Sequence, residues 1–303
     1  MSDQSFQIAD VVLLASVALT LTACDDAIEQ QFSMPPARPV TWIDSNPADD
    51  DQPPEGFPAG QGPRCSGAFT YFFPSDLGGT SGTDKHPVIT WGNATSSNAC
   101  AYAADLMEFA AWGFVVVAAN SPRTGFGTEI LEAAEHLVNE NANPSSQFFN
   151  KIDTAKIGAM GHSQGAGGAV RAAIDSNGLI KTVVALSLSD PAWWLGVLIP
   201  PPDTGLLQVP TFFVRGSDDV LATEIGAQLY YQGAPAGAAK AALKGGDHFD
   251  VRGSAGYVTA WFKYVLEGNQ QARGAFIGSP PELIANSDEE SDPWEHTLIK
   301  DLE

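Results

Sequence analysis

The residues most suited to chemistry lie at positions 161–165, with the sequence Gly-His-Ser-Gln-Gly. Residues 156–160 before them predict a strand, and residues 164–175 predict a helix. A serine at such a strand-to-helix turn is typical of a nucleophile elbow, in which a strained backbone exposes the serine hydroxyl. A Gly-Ser turn without a catalytic role is the alternative, but the flanking elements favour the elbow. Ser163 is therefore the candidate nucleophile for acyl transfer.

A serine hydroxyl is a weak nucleophile at neutral pH and needs a general base. The chain has five histidines. His248 follows the last predicted strand and precedes the last predicted helix, where a fold with a nucleophile elbow places its base. The other four histidines are less suited to this role. His86 precedes a predicted strand and His136 lies within a predicted helix. His162 adjoins the serine, and His296 lies in the acidic end of the chain. We predict His248 as the general base.

The carboxylate that orients the histidine should lie between the serine and the histidine in the chain. A predicted strand at residues 211–215 leads into Gly216, Ser217, Asp218 and Asp219. Successive side chains point apart, so only one of the two aspartates can face the histidine. We predict Asp219 from its spacing to Gly216 and keep Asp218 as the alternative. A turn that caps the next helix is consistent with either residue.

Acyl transfer also needs hydrogen-bond donors for the negatively charged oxygen of the tetrahedral intermediate. The backbone N–H of Gln164, directly after the serine, is one candidate. The second should come from the loop after the predicted strand at 87–91, which indicates the N–H of Asn93. This chemistry requires no cofactor, and no spacing of Cys and His residues indicates a metal site.

The rest of the sequence predicts the elements that position these residues. Short β-branched or aromatic runs alternate with alanine-rich stretches from Cys65 onward. Strands are predicted at 68–73, 87–91, 114–119, 156–160, 182–188, 211–215 and 238–243, and helices at 101–111, 129–140, 164–175, 223–231 and 255–266. This alternation predicts an α/β fold, with a mainly parallel central sheet, helices on both faces and ligands at the carboxyl ends of the strands.

The chain is acidic, with a formal net charge of -21. Much of the excess lies at the ends, because residues 24–60 and residues 281–303 each contain eight acidic residues against one basic residue. An acidic chain without a basic run repels phosphate backbones. Nucleic acid is therefore excluded as an expected partner.

The ends of the chain predict processing and tether segments. The apolar residues 11–23, followed by Cys24, resemble a bacterial lipoprotein signal, so that residues 1–24 form the signal and Cys24 is the lipidation candidate. An ordinary signal peptide and a buried apolar segment are the alternatives. We predict an acidic, proline-rich linker at 25–62, a catalytic domain at 63–280 and an acidic tail at 281–303. We expect an exported monomer, either anchored to a membrane through Cys24, in the periplasm or at the cell surface, or secreted.

The cysteine count agrees with export. With Cys24 set aside, Cys65 and Cys100 remain, an even number that suits one disulfide in an oxidising compartment. Two buried free thiols are the alternative.

Several stretches of residues 65–268 together resemble bacterial cutinases and polyester hydrolases. They are Lys151-Ile152-Asp153-Thr154 before the elbow, Trp112-Gly113-Phe114-Val115, Asp219, His248-Phe249 and Ala260-Trp261-Phe262-Lys263. The resemblance implies an α/β-hydrolase fold with an open, aromatic-walled groove and little lid. It carries over Ser163, Asp219 and His248, with the amides of Asn93 and Gln164.

The resemblance also implies which residues contact the substrate. The family's tryptophan after the strand that follows the nucleophile corresponds to Trp193 or Trp194, of which Trp193 is favoured, and His162 is a further candidate. Core packing is the alternative for either tryptophan. Asn93 stands where the family often has an aromatic residue, and Gln164 stands where it often has methionine. We therefore expect a more polar pocket.

Together these features predict a serine carboxylic-ester hydrolase of the cutinase or polyester-hydrolase type. It would act through an acyl-enzyme on short- to medium-chain esters, with polyesters as a further candidate substrate. A lipase- or chlorophyllase-like esterase acting on lipid esters is one alternative. A surface-binding lipoprotein without turnover is the other, and the three filled triad positions argue against it.

Overall fold

The computed structural model describes residues 5–6, 28–45, 62–196, 199–287 and 293–302. The strands in these residues are β1 (Ser5–Phe6), β2 (Val40–Asp44), β3 (Phe69–Pro74), β4 (His86–Gly92), β5 (Val115–Ala119), β6 (Ile152–His162), β7 (Ile180–Leu186), β8 (Thr211–Gly216), β9 (Ala238–Leu243) and β10 (Trp294–Lys300). The helices are α1 (Ile28–Ser33), α2 (Ala103–Ala111), α3 (Thr128–Ala142), α4 (Gln164–Asp175), α5 (Pro191–Gly196), α6 (Glu224–Gly233), α7 (Ala255–Glu267), α8 (Gln270–Arg273) and α9 (Glu282–Asn286).

The strands form one sheet in the order β1-β2-β3-β5-β4-β6-β7-β8-β9-β10. From β5 to β9 along this order the neighbouring strands are parallel, whereas β1, β2, β3 and β10 pair antiparallel at the two edges. The parallel strands are near-continuous apolar runs because both of their faces are covered. All five residues of β5 are buried, for example.

Helices cover the sheet in two layers, each with its own apolar cluster. Leu106 of α2 and Trp261 of α7 lie in one cluster, while Ile130 of α3 and Val170 of α4 lie in the other. The strands contribute to both clusters, because successive side chains point to opposite faces of the sheet. From β5, Val116 and Ala118 lie in the cluster with α2 and α7, and Val115 and Val117 lie in the cluster with α3 and α4. The predicted α/β arrangement with helices on both faces is confirmed.

The parallel register brings five strand ends to one edge of the sheet. The last residues of β4, β6, β7, β8 and β9 are Gly92, His162, Leu186, Gly216 and Leu243. The predicted catalytic residues Ser163, Asp219 and His248 lie in the turns that follow β6, β8 and β9. The sheet therefore gathers distant parts of the sequence at its carboxyl edge, where ligands of open α/β sheets bind.

The structure corrects the predicted domain boundaries at 63 and 280. Within the predicted linker, β2 pairs with β3, and Val40 is fully buried because alternate apolar side chains of β2 face the core. Within the predicted tail, β10 pairs with β9, and Trp294 is fully buried. The folded domain therefore extends past both predicted ends.

The predicted signal falls almost entirely outside the described residues. Cys24 lies there too, so lipidation stays a prediction. No helix in the described ranges is both long and apolar enough to span a bilayer.

Cys65 and Cys100 form a disulfide, as the sequence predicts. The bond joins the segment before β3 to the short 3-10 helix Ala99–Tyr102, which precedes α2. It closes a loop across a sequence separation of 35 residues. It therefore fixes the loop that leads away from the carboxyl end of β4.

Candidate active site

Ser163 lies at a sharp turn between β6 and α4. Its backbone has φ 56° and ψ -117°, a conformation that is costly for a residue with a side chain. Its N–H donates to the carbonyl oxygen of Leu186 on the neighbouring strand at 2.8 Å. The strained turn is thus held by the sheet, and the hydroxyl lies at the amino end of a helix, where negative charge is favoured.

The two glycines of the turn allow close backbone contacts. A Cβ atom on Gly161 would lie 2.2 Å from the carbonyl oxygen of Gly165. One on Gly165 would lie 2.1 Å from the carbonyl oxygen of Gly92, at the end of β4. The first turn of α4 therefore packs directly against the chain that leads into Asn93, and any side chain at either glycine would force them apart.

His248 connects Ser163 to Asp219. The Nε2 atom of His248 lies 2.8 Å from the Ser163 hydroxyl oxygen, and its Nδ1 atom lies 2.7 Å from Oδ2 of Asp219. All three residues are buried, with 4 to 8% of their surface exposed. Asp218 is exposed and accepts a hydrogen bond from Ser217 instead. Of the two adjacent aspartates, the structure brings Asp219 to the histidine.

The carboxylate of Asp219 is held in its ionised form. Burial alone would raise its pKa, but the hydrogen bond with His248 and those from the amides of Ala222 and Leu221 outweigh burial, so the pKa lies below its ordinary value. Oδ1 accepts both amides, at 2.9 and 2.8 Å, which fixes the carboxylate and leaves Oδ2 to His248. Within the described ranges, no group of three or more His, Cys, Asp or Glu side chains could hold a metal ion.

Asn93 directly follows β4, and Gln164 is the first residue of α4, so the two residues lie on the segments that pack together at Gly92 and Gly165. The Asn93 side chain is completely buried and faces away from solvent. It donates to the carbonyl oxygens of Ala119 and Ser121 and accepts from the indole N–H of Trp91. Asn93 thus fixes its own loop with its side chain, and the residue has no exposed surface.

The Gln164 side chain borders an open cleft of about 430 Å³. Its amide donates to the Thr95 hydroxyl at 3.1 Å, and its Oε1 atom accepts from the N–H of Gly125 at 3.2 Å. The described residues that line the cleft are Thr95, Ser96, Pro122, Arg123, Gln164, Trp193 and Ile199. Gln164 therefore joins the two loops that form one wall.

The sequence profile of the PET hydrolase-like family, PETase, matches residues 60–293 of the chain. The chain belongs to the PET hydrolase-like family.

Membership in the PET hydrolase-like family accounts for the sheet and its elbow together. The family has the α/β-hydrolase fold, so the fold that the sequence resemblance implied is confirmed. The family also places the chain among ester hydrolases. The match includes β3 to β9, which carry the residues gathered at the carboxyl edge of the sheet.

Two predicted substrate contacts of this PET hydrolase-like chain, Trp194 and His162, have no exposed surface, and the structure does not bring them to the cleft. Trp194 donates its indole N–H to the carbonyl oxygen of Ser189 and packs under the guanidinium of Arg171. His162 points into the protein and has hydrogen bonds at both ring nitrogens. Trp193 is the predicted aromatic residue that lines the cleft. Adjacency in sequence did not reveal which of these side chains faces the core.

The sequence missed Tyr102, which lies beside the candidate active site of this family member. Its hydroxyl accepts from the N–H of Ala94 at 3.3 Å and lies 3.0 Å from Nδ1 of His162. The other ring nitrogen of His162 lies 2.7 Å from the backbone carbonyl oxygen of His248. Tyr102 lies 60 residues before His162 in the chain, so no local motif could have identified the contact.

Proposed function

We propose that the protein is a serine carboxylic-ester hydrolase that works through an acyl-enzyme. The observation that supports this most strongly is the placement of the His248 ring, with one nitrogen 2.8 Å from the Ser163 hydroxyl and the other 2.7 Å from Asp219. Hydrogen-bond contact between a nucleophile, a base and an orienting acid is the arrangement that activates serine for acyl transfer.

The reaction begins when Ser163 Oγ attacks the ester carbonyl carbon and its proton passes to Nε2 of His248. Asp219 accepts the hydrogen bond from Nδ1, fixes the tautomer and stabilises the imidazolium that forms. The backbone N–H groups of Gln164 and Asn93 receive the negative oxygen of the tetrahedral intermediate. His248 then donates its proton to the departing alkoxide, which leaves as an alcohol.

The second half repeats these steps with water as the nucleophile. His248 takes a proton from water as the oxygen attacks the acyl-enzyme carbonyl, and returns it to Ser163 as the acid leaves. Asp219 stays ionised throughout, which its lowered pKa favours. The protein's own residues supply every proton transfer in this scheme.

The cleft favours short- to medium-chain acyl groups. Its volume of about 430 Å³ suits a small organic group, with Trp193 and Ile199 as apolar contacts and Thr95, Ser96 and Gln164 as polar ones. Because the cleft is open to solvent, a segment of a polyester chain is a further candidate substrate. We further propose that the protein is exported, since a disulfide between Cys65 and Cys100 suits an oxidising compartment.

The function is tested with p-nitrophenyl esters from acetate to palmitate. Wild-type protein should hydrolyse the short and medium chains, and Ser163→Ala should lose at least about a thousandfold in kcat. Ser145→Ala is the matched control, because Ser145 is exposed in the loop between α3 and β6, at the opposite end of the sheet. A fluorophosphonate should label wild type at Ser163 alone.

Retained activity in Ser163→Ala, or labelling at another serine, would contradict the acyl-enzyme proposal. Turnover confined to the longest chains would indicate a lipase-like esterase instead. No turnover with any chain length and no labelling would favour the binding lipoprotein.

A further inference from the structure

The cleft beside Gln164 contains an unpaired positive charge. Of the described residues that line it, Arg123 alone is charged. Its guanidinium is exposed and makes no ion pair or hydrogen bond with the described residues, whereas Arg38 and Arg215 each pair with a carboxylate. This charge is therefore available to a ligand.

The backbone around Arg123 is fixed on both sides. Its own N–H donates to the Ser121 hydroxyl at 3.2 Å. The carbonyl oxygen of Pro122 accepts from the N–H of Ser96, and the Thr124 hydroxyl donates to the carbonyl oxygen of Asn93 at 2.8 Å. The loop that carries the charge is thus tied to the loop after β4, and a ligand that binds the guanidinium does not have to order the backbone first.

The position of the cleft indicates which part of an ester it receives. The departing alcohol must lie beside His248, because the histidine donates a proton to it. Gln164, whose N–H faces the carbonyl oxygen in the proposed mechanism, lines the cleft, whereas Ser163 and the described residues of the His248 loop do not. The cleft therefore begins beside the reacting carbonyl group, on the side away from His248. The cleft therefore receives the acyl part of the substrate.

We propose that Arg123 binds a free carboxylate at the far end of the acyl part, so that half-esters of dicarboxylic acids are a preferred substrate class. The inference rests on the proposed esterase function. A guanidinium can bind a carboxylate through two parallel hydrogen bonds. The carboxylate and the local cation attract each other although the net charge of -21 repels anions from the protein as a whole.

The test compares two esters that differ in charge and little in shape. One is p-nitrophenyl hydrogen adipate, and the other is the p-nitrophenyl ester in which an isopropyl group replaces the free carboxylate. The readout is the ratio of kcat/KM for the anionic ester to kcat/KM for the neutral one. Arg123→Gln should lower this ratio about fivefold, and Arg123→Lys should lower it less, because lysine keeps the charge and loses the paired geometry.

Lys181→Gln is the matched control for the loss of one positive charge. Lys181 is exposed near the amino end of β7, at the opposite edge of the sheet from the cleft, so this change should leave the ratio unchanged. Added salt should lower the ratio in wild type and in Lys181→Gln, but not in Arg123→Gln.

Equal ratios in wild type and Arg123→Gln would overturn the inference while leaving the esterase proposal intact. Equal losses in Arg123→Gln and Lys181→Gln would also overturn it, because net charge would then explain the effect. If Ser163→Ala hydrolyses both esters as fast as the wild-type protein does, the esterase proposal itself fails. The two failures are therefore distinguishable.

Discussion

The Nε2 atom of His162 donates a hydrogen bond to the backbone carbonyl oxygen of His248 at 2.7 Å. A carbonyl oxygen can only accept, so the proton must be on Nε2. Burial lowers the pKa of His162 to about 4, which leaves the ring neutral at pH 7 with Nδ1 as an acceptor. Tyr102 then donates to Nδ1 while accepting from Ala94. Hydrogen bonds with defined donors and acceptors therefore run from the N–H of Ala94 through Tyr102 and His162 to the backbone carbonyl oxygen of His248.

We expect this chain to position His248 rather than to contact substrate. His162→Leu removes both hydrogen bonds and should lower kcat about tenfold with little change in KM, because binding contacts in the cleft remain. His162→Gln, which can still donate to the carbonyl oxygen, should recover part of kcat. Steady-state kinetics on a p-nitrophenyl ester checks both. An unchanged kcat in a folded His162→Leu protein would show that the hydrogen bond has no role in positioning.

The same buried ring should make stability depend on pH. The pKa of His162 is about 4 in the folded protein, against an ordinary value of 6.5. The unfolded chain therefore binds the proton first, and the folded state loses up to about 3 kcal/mol as pH falls from 6.5 to 4. Urea unfolding at several pH values should show that wild type loses more stability over this range than His162→Gln.

Two buried carboxyl groups change the stability of the folded state with pH in the opposite direction. The comparison between the two proteins must therefore remove their contribution. Burial raises the pKa of Asp105 to about 6 and that of Glu108 to about 7, so each destabilises the folded state as pH rises from the ordinary pKa of the group, 3.8 or 4.5, to these values. Both are present in wild type and in His162→Gln, and the difference between the two proteins therefore isolates the histidine. Parallel curves for the two proteins would contradict the prediction.

The two adjacent aspartates should differ sharply in their effect on turnover. Asp219→Asn removes the acceptor that fixes the His248 tautomer and should lower kcat by about four orders of magnitude. Asp218→Asn is the matched control, because it makes the same change on an exposed neighbour. It should stay within about twofold of wild type. A comparable loss in both variants would mean that the turn itself, and not the carboxylate of Asp219, determines activity.

Loss of the disulfide should cost stability more than activity. The bond between Cys65 and Cys100 constrains the unfolded chain across a sequence separation of 35 residues, which corresponds to about 4 kcal/mol in the chain-entropy estimate. The double variant Cys65→Ser, Cys100→Ser should unfold at a correspondingly lower urea concentration. Reduction of wild-type protein should give the same midpoint as the double variant. Coinciding curves for oxidised and reduced wild type would contradict the prediction.

Much of the fold could be predicted because its signals are local. Each strand from β3 to β9 contains an apolar run with a turn after it, and the order serine, aspartate, histidine follows the sequence of strand ends. Strand β2 was missed, since Val40 and Trp42 alternate within a proline- and aspartate-rich stretch that is typical of a linker. The contribution of β10 was missed for a similar reason, because Trp294 follows an acidic run.

The site was harder to predict where it depends on tertiary contacts. The sequence does not distinguish which of the neighbouring residues Trp193 and Trp194 is buried. That depends on the packing of α5 against Arg171 and Gly167. Tyr102 and His162 meet because the 3-10 helix Ala99–Tyr102 lies against the carboxyl end of β6. Arg123 becomes notable only when its neighbours prove to hold no partner for it.

Helix α1 brings the described chain before β2 back to the β10 side of the domain, although β2 itself lies eight strand positions from β10 in the sheet. The N–H groups of Ile28 and Glu29 donate to the carboxylate of Glu282, and Trp294, the first residue of β10, donates its indole N–H to Glu29. A partner joined before α1 and one joined after β10 would therefore lie on the same side of the domain, separated by roughly the length of β10, about 20 Å. A circular permutant that connects Lys300 to Ile28 would need a linker of only about six residues.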